Sequence, residues 1–158
     1  MNEPATLCGH AARRKEGVDT ERTIDRDSHE IRAVRLTEGN RHDCDEMQSL
    51  VDEVGECDWV FADGAYDNQK GYDAADSHGA RAIISPRSGA ALTKSPERKP
   101  ISWEMVQRNT NIQGKCQLGE KEWKVASRYH QRSLAETGIG RFKAIFGPGL
   151  RSREGARQ

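Results

Sequence analysis

Long apolar runs are missing from this 158-residue chain: nothing in it approaches eighteen consecutive apolar residues. That excludes a helix long enough to span a bilayer. The N-terminus also lacks the basic-then-apolar pattern of a secretory signal, so a soluble, cytoplasmic protein with no membrane partner is expected. Hydrophobic residues make up 34% and aromatics 6% of the chain, against 32% charged. So little core material for this length implies a partial domain or unstructured ends. Cysteine is equally sparse. Cys8, Cys44, Cys57 and Cys116 form no CxxC pair, and neither Cys8-Gly-His10 nor His42-Asp-Cys44 has the spacing of a zinc finger or ribbon. Four free thiols in a reducing compartment are the expectation.

Net charge is zero, but it is distributed unevenly. Residues 1–80 hold 9 Lys/Arg against 19 Asp/Glu, whereas residues 81–158 hold 16 against 6. An Arg-rich basic half is the footprint of a nucleic-acid binder. The acidic half is equally able to neutralise it within one fold, so charge alone does not decide.

Residues 1–21 show no usable periodicity; they are expected to be disordered, with Arg13-Arg14-Lys15 as a solvated basic cluster. From Arg22 to Thr37, two short runs flank the polar break Asp25–Glu30 and predict a β-hairpin. Asp43 with Glu46 forms a capping box. Met47, Leu50, Val51 and Val54 then follow at helical spacing, with Gly55 as the stop. Trp59-Val60-Phe61-Ala62 reads as a buried strand ending at Asp63-Gly64. A helix is predicted from about Asn68 to Ser77, closed by Gly79, before a second buried strand at Ala82-Ile83-Ile84 that stops at Pro86. Strand, helix, strand in so short a span predicts a right-handed crossover with parallel pairing. In such sheets ligands bind beyond the carboxyl ends of the strands, where Asp63 lies. An Asp before Gly is also an ordinary turn residue. Residues 86–102 read as a long basic surface loop, followed by a short helix over Trp103–Gln113.

The stretch Tyr129–Lys143 is the most structured in chemical terms. Tyr129, Arg132, Glu136 and Lys143 are offset by 0, 3, 7 and 14 residues. At about 100° per residue they share an arc of roughly 60° on one helix. Leu134, Ile139, Phe142, Ile145 and Phe146 gather on another arc. Gly138 and Gly140 each weaken that helix by about 1 kcal/mol relative to Ala, so packing must hold it. By itself the polar face is satisfied by solvent and an Arg132–Glu136 pair worth about 0.2–0.5 kcal/mol.

The spacing of these four residues resembles the Y-R-E-K signature of bacterial insertion-sequence transposases of the DDE type. FADGAYDNQ and RAIISPR are similar to that family's second-Asp strand and the strand after it, and WKVASRYHQRSLAETGIGRFKAIFG is similar to its Glu-bearing helix. The resemblance runs from about Arg22 to Arg153. It implies an α/β, ribonuclease-H-like (retroviral-integrase-like) mixed sheet with flanking helices over residues 22–150, and a tail at 151–158. It implies Asp63 and Glu136 as catalytic, metal-binding carboxylates, Tyr129, Arg132 and Lys143 as DNA contacts, and Mg²⁺ or Mn²⁺ as cofactor. Double-stranded DNA, both transposon ends and target, is the implied partner, together with a homo-oligomer. In such chemistry two divalent ions held by hard oxygen ligands activate water and neutralise charge at phosphorus.

The family also carries a first Asp on the first strand of the sheet, upstream of the hairpin. Asp19 lies too close to the hairpin, and Asp25 matches a non-catalytic hairpin Asp. The expectation is therefore a transposase catalytic domain truncated at both ends, with its first strand absent and a central pairing edge exposed. On that reading the chain is an inactive fragment; the alternative is a non-catalytic DNA-binding protein using its basic C-terminal half.

Overall fold

The computed structural model describes residues 5–10, 18–25, 28, 30–38, 43–95 and 100–146. Five strands form one mixed sheet in the order β3-β2-β1-β4-β5. They are β1 (Ala5–His10), β2 (Val18–Asp25), β3 (Ile31–Glu38), β4 (Trp59–Ala62) and β5 (Arg81–Ile84). β1 pairs antiparallel with β2 and parallel with β4. β2 pairs antiparallel with β3, and β4 pairs parallel with β5.

The expected missing strand is thus present, at the centre of the sheet. Its six residues, ATLCGH, gave no sequence signal because they mix small, polar and apolar types without alternation. β1 covers the edge of β4 that its absence would have exposed, so the predicted central pairing edge does not exist.

The hairpin forms as read. Asp25 accepts at Oδ1 from the Ser28 backbone N–H at 2.7 Å and from its hydroxyl at 2.9 Å. This buried carboxylate closes the turn, a common use of Asp.

Successive residues of a strand face opposite ways, and β4 divides its side chains accordingly. Val60 and Ala62 enter a core shared with Met47, Leu50 and Val51 of α1 (Asp43–Val54) and Tyr72, Ala74 and Ala75 of α2 (Gln69–Asp76). Phe61 turns to the other face and packs with Ile83, Trp123 and Tyr129. Each large apolar side chain fully buried this way contributes about 1.5–3 kcal/mol. Gly55 and Gly79 end α1 and α2 with φ of 79° and 68°, the left-handed conformation that glycine adopts without penalty.

The helical C-terminal third is more divided than its sequence suggests. α3 runs Trp103–Leu118, well past the expected end at Gln113, and Gly119 separates it from α4 (Glu120–Ala126). Residues Tyr129–Arg132 form a 3-10 turn entered through Arg128 at φ 60°, ψ 20°, and only then does α5 (Ser133–Phe146) begin. The single helix expected from Tyr129 onward is therefore two pieces.

Its inward face includes small residues outside the predicted apolar arc, of which Ile139, Phe142 and Phe146 have side chains outside the described residues. Ala135 is fully buried against Ile24 of β2, and a Cβ on Gly138 would lie 2.3 Å from Ile24 Cδ1. Ile145 is 74% exposed. α5 lies against β1 and β2, and Ala135 and Gly138 let its backbone come close to Ile24 of β2.

Candidate active site

Asp63 follows β4 directly in an extended conformation, φ −80° and ψ −179°. Alternation continues through it, so Asp63 falls on the Phe61 side of the sheet. The 3-10 turn at Tyr129–Arg132 packs on β1 and β4 and α5 packs on β1 and β2, which puts the signature residues on that same side. Asp63 also does the turn work of an Asp before Gly: its Oδ1 accepts from the Ala65 backbone N–H at 2.8 Å, capping a 3-10 turn over Gly64–Tyr66.

The signature residues form a stack built up from the core. Tyr129 is 7% exposed, its ring centroid 5.3 Å from that of Trp123. The Arg132 guanidinium carbon lies 5.7 Å from the Tyr129 ring centroid, an attractive cation–π geometry. Arg132 Nη2 in turn donates to Glu136 Oε1 at 2.6 Å. In a 3-10 turn residues three apart eclipse, which keeps Tyr129 under Arg132 although the helix is broken. Lys124 Nζ sits 5.9 Å from the same ring. Tyr129 is therefore the buried floor of the face rather than part of its surface, and Arg132 and Glu136 are what solvent meets. Lys143 lies on α5, with its side chain outside the described residues.

The two expected ligands stand on separate elements. Among the described residues no group of three or more His, Cys, Asp or Glu could hold a metal ion. The strand beside Asp63 explains part of this. β1 pairs Ala5 with Val60 and Thr6 with Phe61, so the register continued two residues sets Cys8 level with Asp63. Residues 4–15, PATLCGHAARRK, contain no Asp or Glu. A pair of hard divalent ions needs several carboxylate oxygens, and the described residues around Asp63 do not supply them.

Residues to which the sequence assigned no role hold the turn that follows Asp63 and the loop after β5. Asp67 is buried and uses both oxygens: Oδ1 accepts from Arg108 Nε at 2.9 Å and Oδ2 from the Arg87 backbone N–H at 2.9 Å. The Arg87 side chain donates from Nε to the Gly64 carbonyl and from Nη2 to the Ala65 carbonyl, each at 2.6 Å. Arg108 Nη1 reaches the Ala91 carbonyl at 3.0 Å, the Asn109 carboxamide brackets the Thr93 backbone, and Lys115 holds the Pro86 carbonyl. The basic loop is thus pinned to α3 from Pro86 to Thr93. Asp67 and Arg87 lay within the strings that carried the resemblance, but only tertiary contact reveals their partners.

The family model of the transposase DDE domain matches residues 6–157, including all of β1 but its first residue and every later element described. No solved structure matches the chain. Asp63 closing a parallel strand, and Arg132 on the 3-10 turn paired with Glu136 on α5 over the same sheet face, are the local features that accompany this match. The chain belongs to the transposase DDE domain family.

Proposed function

We propose that this protein serves DNA transposition by engaging DNA through the basic surface around its C-terminal helices, and that it does not cut DNA on its own. The observation that carries the second half is the composition of β1. The strand neighbouring Asp63 offers no carboxylate, so the oxygen ligands fall short of those that a two-ion phosphodiester cleavage demands.

Arg128 and His130 are exposed beside Arg132, and Lys124 joins them over the Tyr129 ring. Cations held on a rigid aromatic floor suit phosphate contacts, because little side-chain freedom remains to be lost on binding. Glu136 tempers this positive field and orients Arg132. A ribonuclease-H-like fold is the architecture that agrees with the strand order, the antiparallel first three strands and the helix laid across β1 and β2.

The test is a mobility shift of duplex DNA with a nicking assay in the same tubes, with Mg²⁺, with Mn²⁺ and with chelator. The expected result is binding that weakens steeply with salt, unchanged by chelator, and no nicking. Metal-dependent nicking lost in Asp63→Asn would overturn it. Calorimetry with Mn²⁺ separates the two readings of the residual carboxylates. Binding lost in Glu136→Ala supports a remnant metal site, and no binding to the unsubstituted chain favours a purely DNA-binding protein.

A further inference from the structure

Asp63 owes its geometry to a chain of contacts that begins on the far side of the fold. The turn after it is short, and its two carbonyls, Gly64 and Ala65, are both held by one exposed guanidinium, that of Arg87. Arg87 in turn is fixed at its backbone by Asp67 Oδ2. Asp67, 1% exposed at its side chain, is neutralised by Arg108 from α3, 15% exposed. A buried carboxylate requires such pairing and full hydrogen bonding to persist. Here the charge pair lies where the turn after β4, the turn after β5 and α3 meet.

We propose that Asp67 and Arg108 are positioning residues that seat the Asp63 carboxylate, acting through Arg87, and that they couple it to the basic insert. The coupling follows from Arg108 itself. Its Nε holds Asp67 while its Nη1 holds the Ala91 carbonyl and, at 3.3 Å, the Thr93 hydroxyl. A partner that draws residues 91–93 away from α3 disturbs the Arg108 guanidinium that holds Asp67, and through Asp67 the Arg87 backbone that sets the Asp63 turn. The insert is therefore a lever on the site, in addition to being a basic surface. The proposal rests on the reading of Asp63 as the site carboxylate.

The test is amide hydrogen exchange by NMR on the whole chain. The reporter is the Ala65 N–H, which donates to Asp63 Oδ1; the control is the Arg81 N–H, which donates to the Asp58 carbonyl at the opposite end of β5. Arg87→Gln is at the surface and folding is not at stake. Arg108→Gln alone leaves a buried charge, so it is paired with Asp67→Asn to keep the cluster neutral.

The expected result is exchange at Ala65 faster by roughly tenfold or more in Arg87→Gln and in the neutral pair, with Arg81 unchanged. Arg87→Lys should recover only part of the protection, because one ammonium does not span both carbonyls as the guanidinium fork does. Unchanged exchange at Ala65 in both variants, or equal acceleration at Ala65 and Arg81, would overturn the proposal. Mn²⁺ added to the unsubstituted chain keeps the two questions apart: absence of broadening at Ala65 counts against Asp63 as a metal ligand, while the exchange result still decides the seating.

Discussion

Gln107 Oε1 accepts the backbone N–H of Ala82 at 2.7 Å, so a side chain on α3 takes the place of a neighbouring strand at the edge of the sheet. One helical turn on, Asn111 Nδ2 donates to the Ala82 carbonyl at 3.0 Å and to the Tyr72 hydroxyl at 3.1 Å. Together the two carboxamides satisfy both backbone groups that Ala82 presents outward, blocking an edge that would otherwise recruit another strand. Gln107→Leu leaves a buried N–H without an acceptor, at an expected cost of about 1–3 kcal/mol. Urea denaturation would measure that loss, and sedimentation velocity should show concentration-dependent association as the edge opens. A variant as stable and as monodisperse as the parent would mean that the carboxamide does not guard this edge.

Two glycines in helices should respond oppositely to the same substitution. A Cβ on Gly71 would lie 2.2 Å from the Tyr66 carbonyl oxygen, a backbone atom fixed in the turn that follows Asp63. Gly71→Ala should therefore lose about 1–3 kcal/mol to overpacking, in spite of Ala's better helix propensity. Gly140 has no atom within 4 Å of the same position. There Gly140→Ala should gain up to about 1 kcal/mol. Thermal unfolding of the two variants side by side checks both signs.

The elements legible in the sequence are those whose physics is local. Gly55, Gly79 and Asn68 punctuate helices because their backbone and cap chemistry acts within a few residues; Asn68 Oδ1 accepts the Gly71 N–H at 3.0 Å. Trp59–Ala62 and Arg81–Ile84 were readable as buried strands because both faces are covered, leaving continuous apolar runs. β1 was not readable, since ATLCGH becomes a strand only through pairing with β2 and β4. The break before α5 was hidden for a related reason: Arg128 takes a left-handed conformation that no residue type announces, and Tyr129 is then held down by Trp123. At the site, Asp63, Arg132 and Glu136 stood out through type and spacing. Asp67, Arg87 and Arg108 come from three segments and meet only in the folded chain.

The signature residues should separate by substitution into a structural and a surface class. Tyr129→Ala removes a buried ring beneath Trp123 and should cost about 3–5 kcal/mol of stability. Arg132 and Glu136 form an i,i+4 pair with side chains 19% and 44% exposed, so Glu136→Ala should change stability by less than about 0.5 kcal/mol, and Arg132→Ala, which also loses the Tyr129 ring contact, by about 0.5–1.5 kcal/mol. If Arg132 contacts phosphate, Arg132→Ala should also reduce the salt dependence of DNA affinity by about one unit of slope. Equal slopes for parent and variant would remove Arg132 from the DNA-binding surface without touching the structural role of Tyr129.

Alkaline pH offers a separate check on the core under β4. Burial, with a smaller contribution from the charge of Asp58, pushes the Cys57 thiol up to about 11, whereas a thiol in the unfolded chain ionises near about 8.5. Because the folded value is the higher one, the unfolded chain loses this proton first. The stability tied to Cys57 is then fully present below about pH 8.5 and declines as pH rises toward about 11, at up to about 1.4 kcal/mol per pH unit. Other alkaline titrations act alike on parent and variant, so the quantity to measure is the difference in unfolding free energy between the parent and Cys57→Ala. That difference should be constant near about pH 8 and shrink as pH climbs, because the variant loses packing but has no thiol to ionise. A difference that stays flat to about pH 11 would mean that the thiol ionises as easily folded as unfolded, contrary to its 3% exposure.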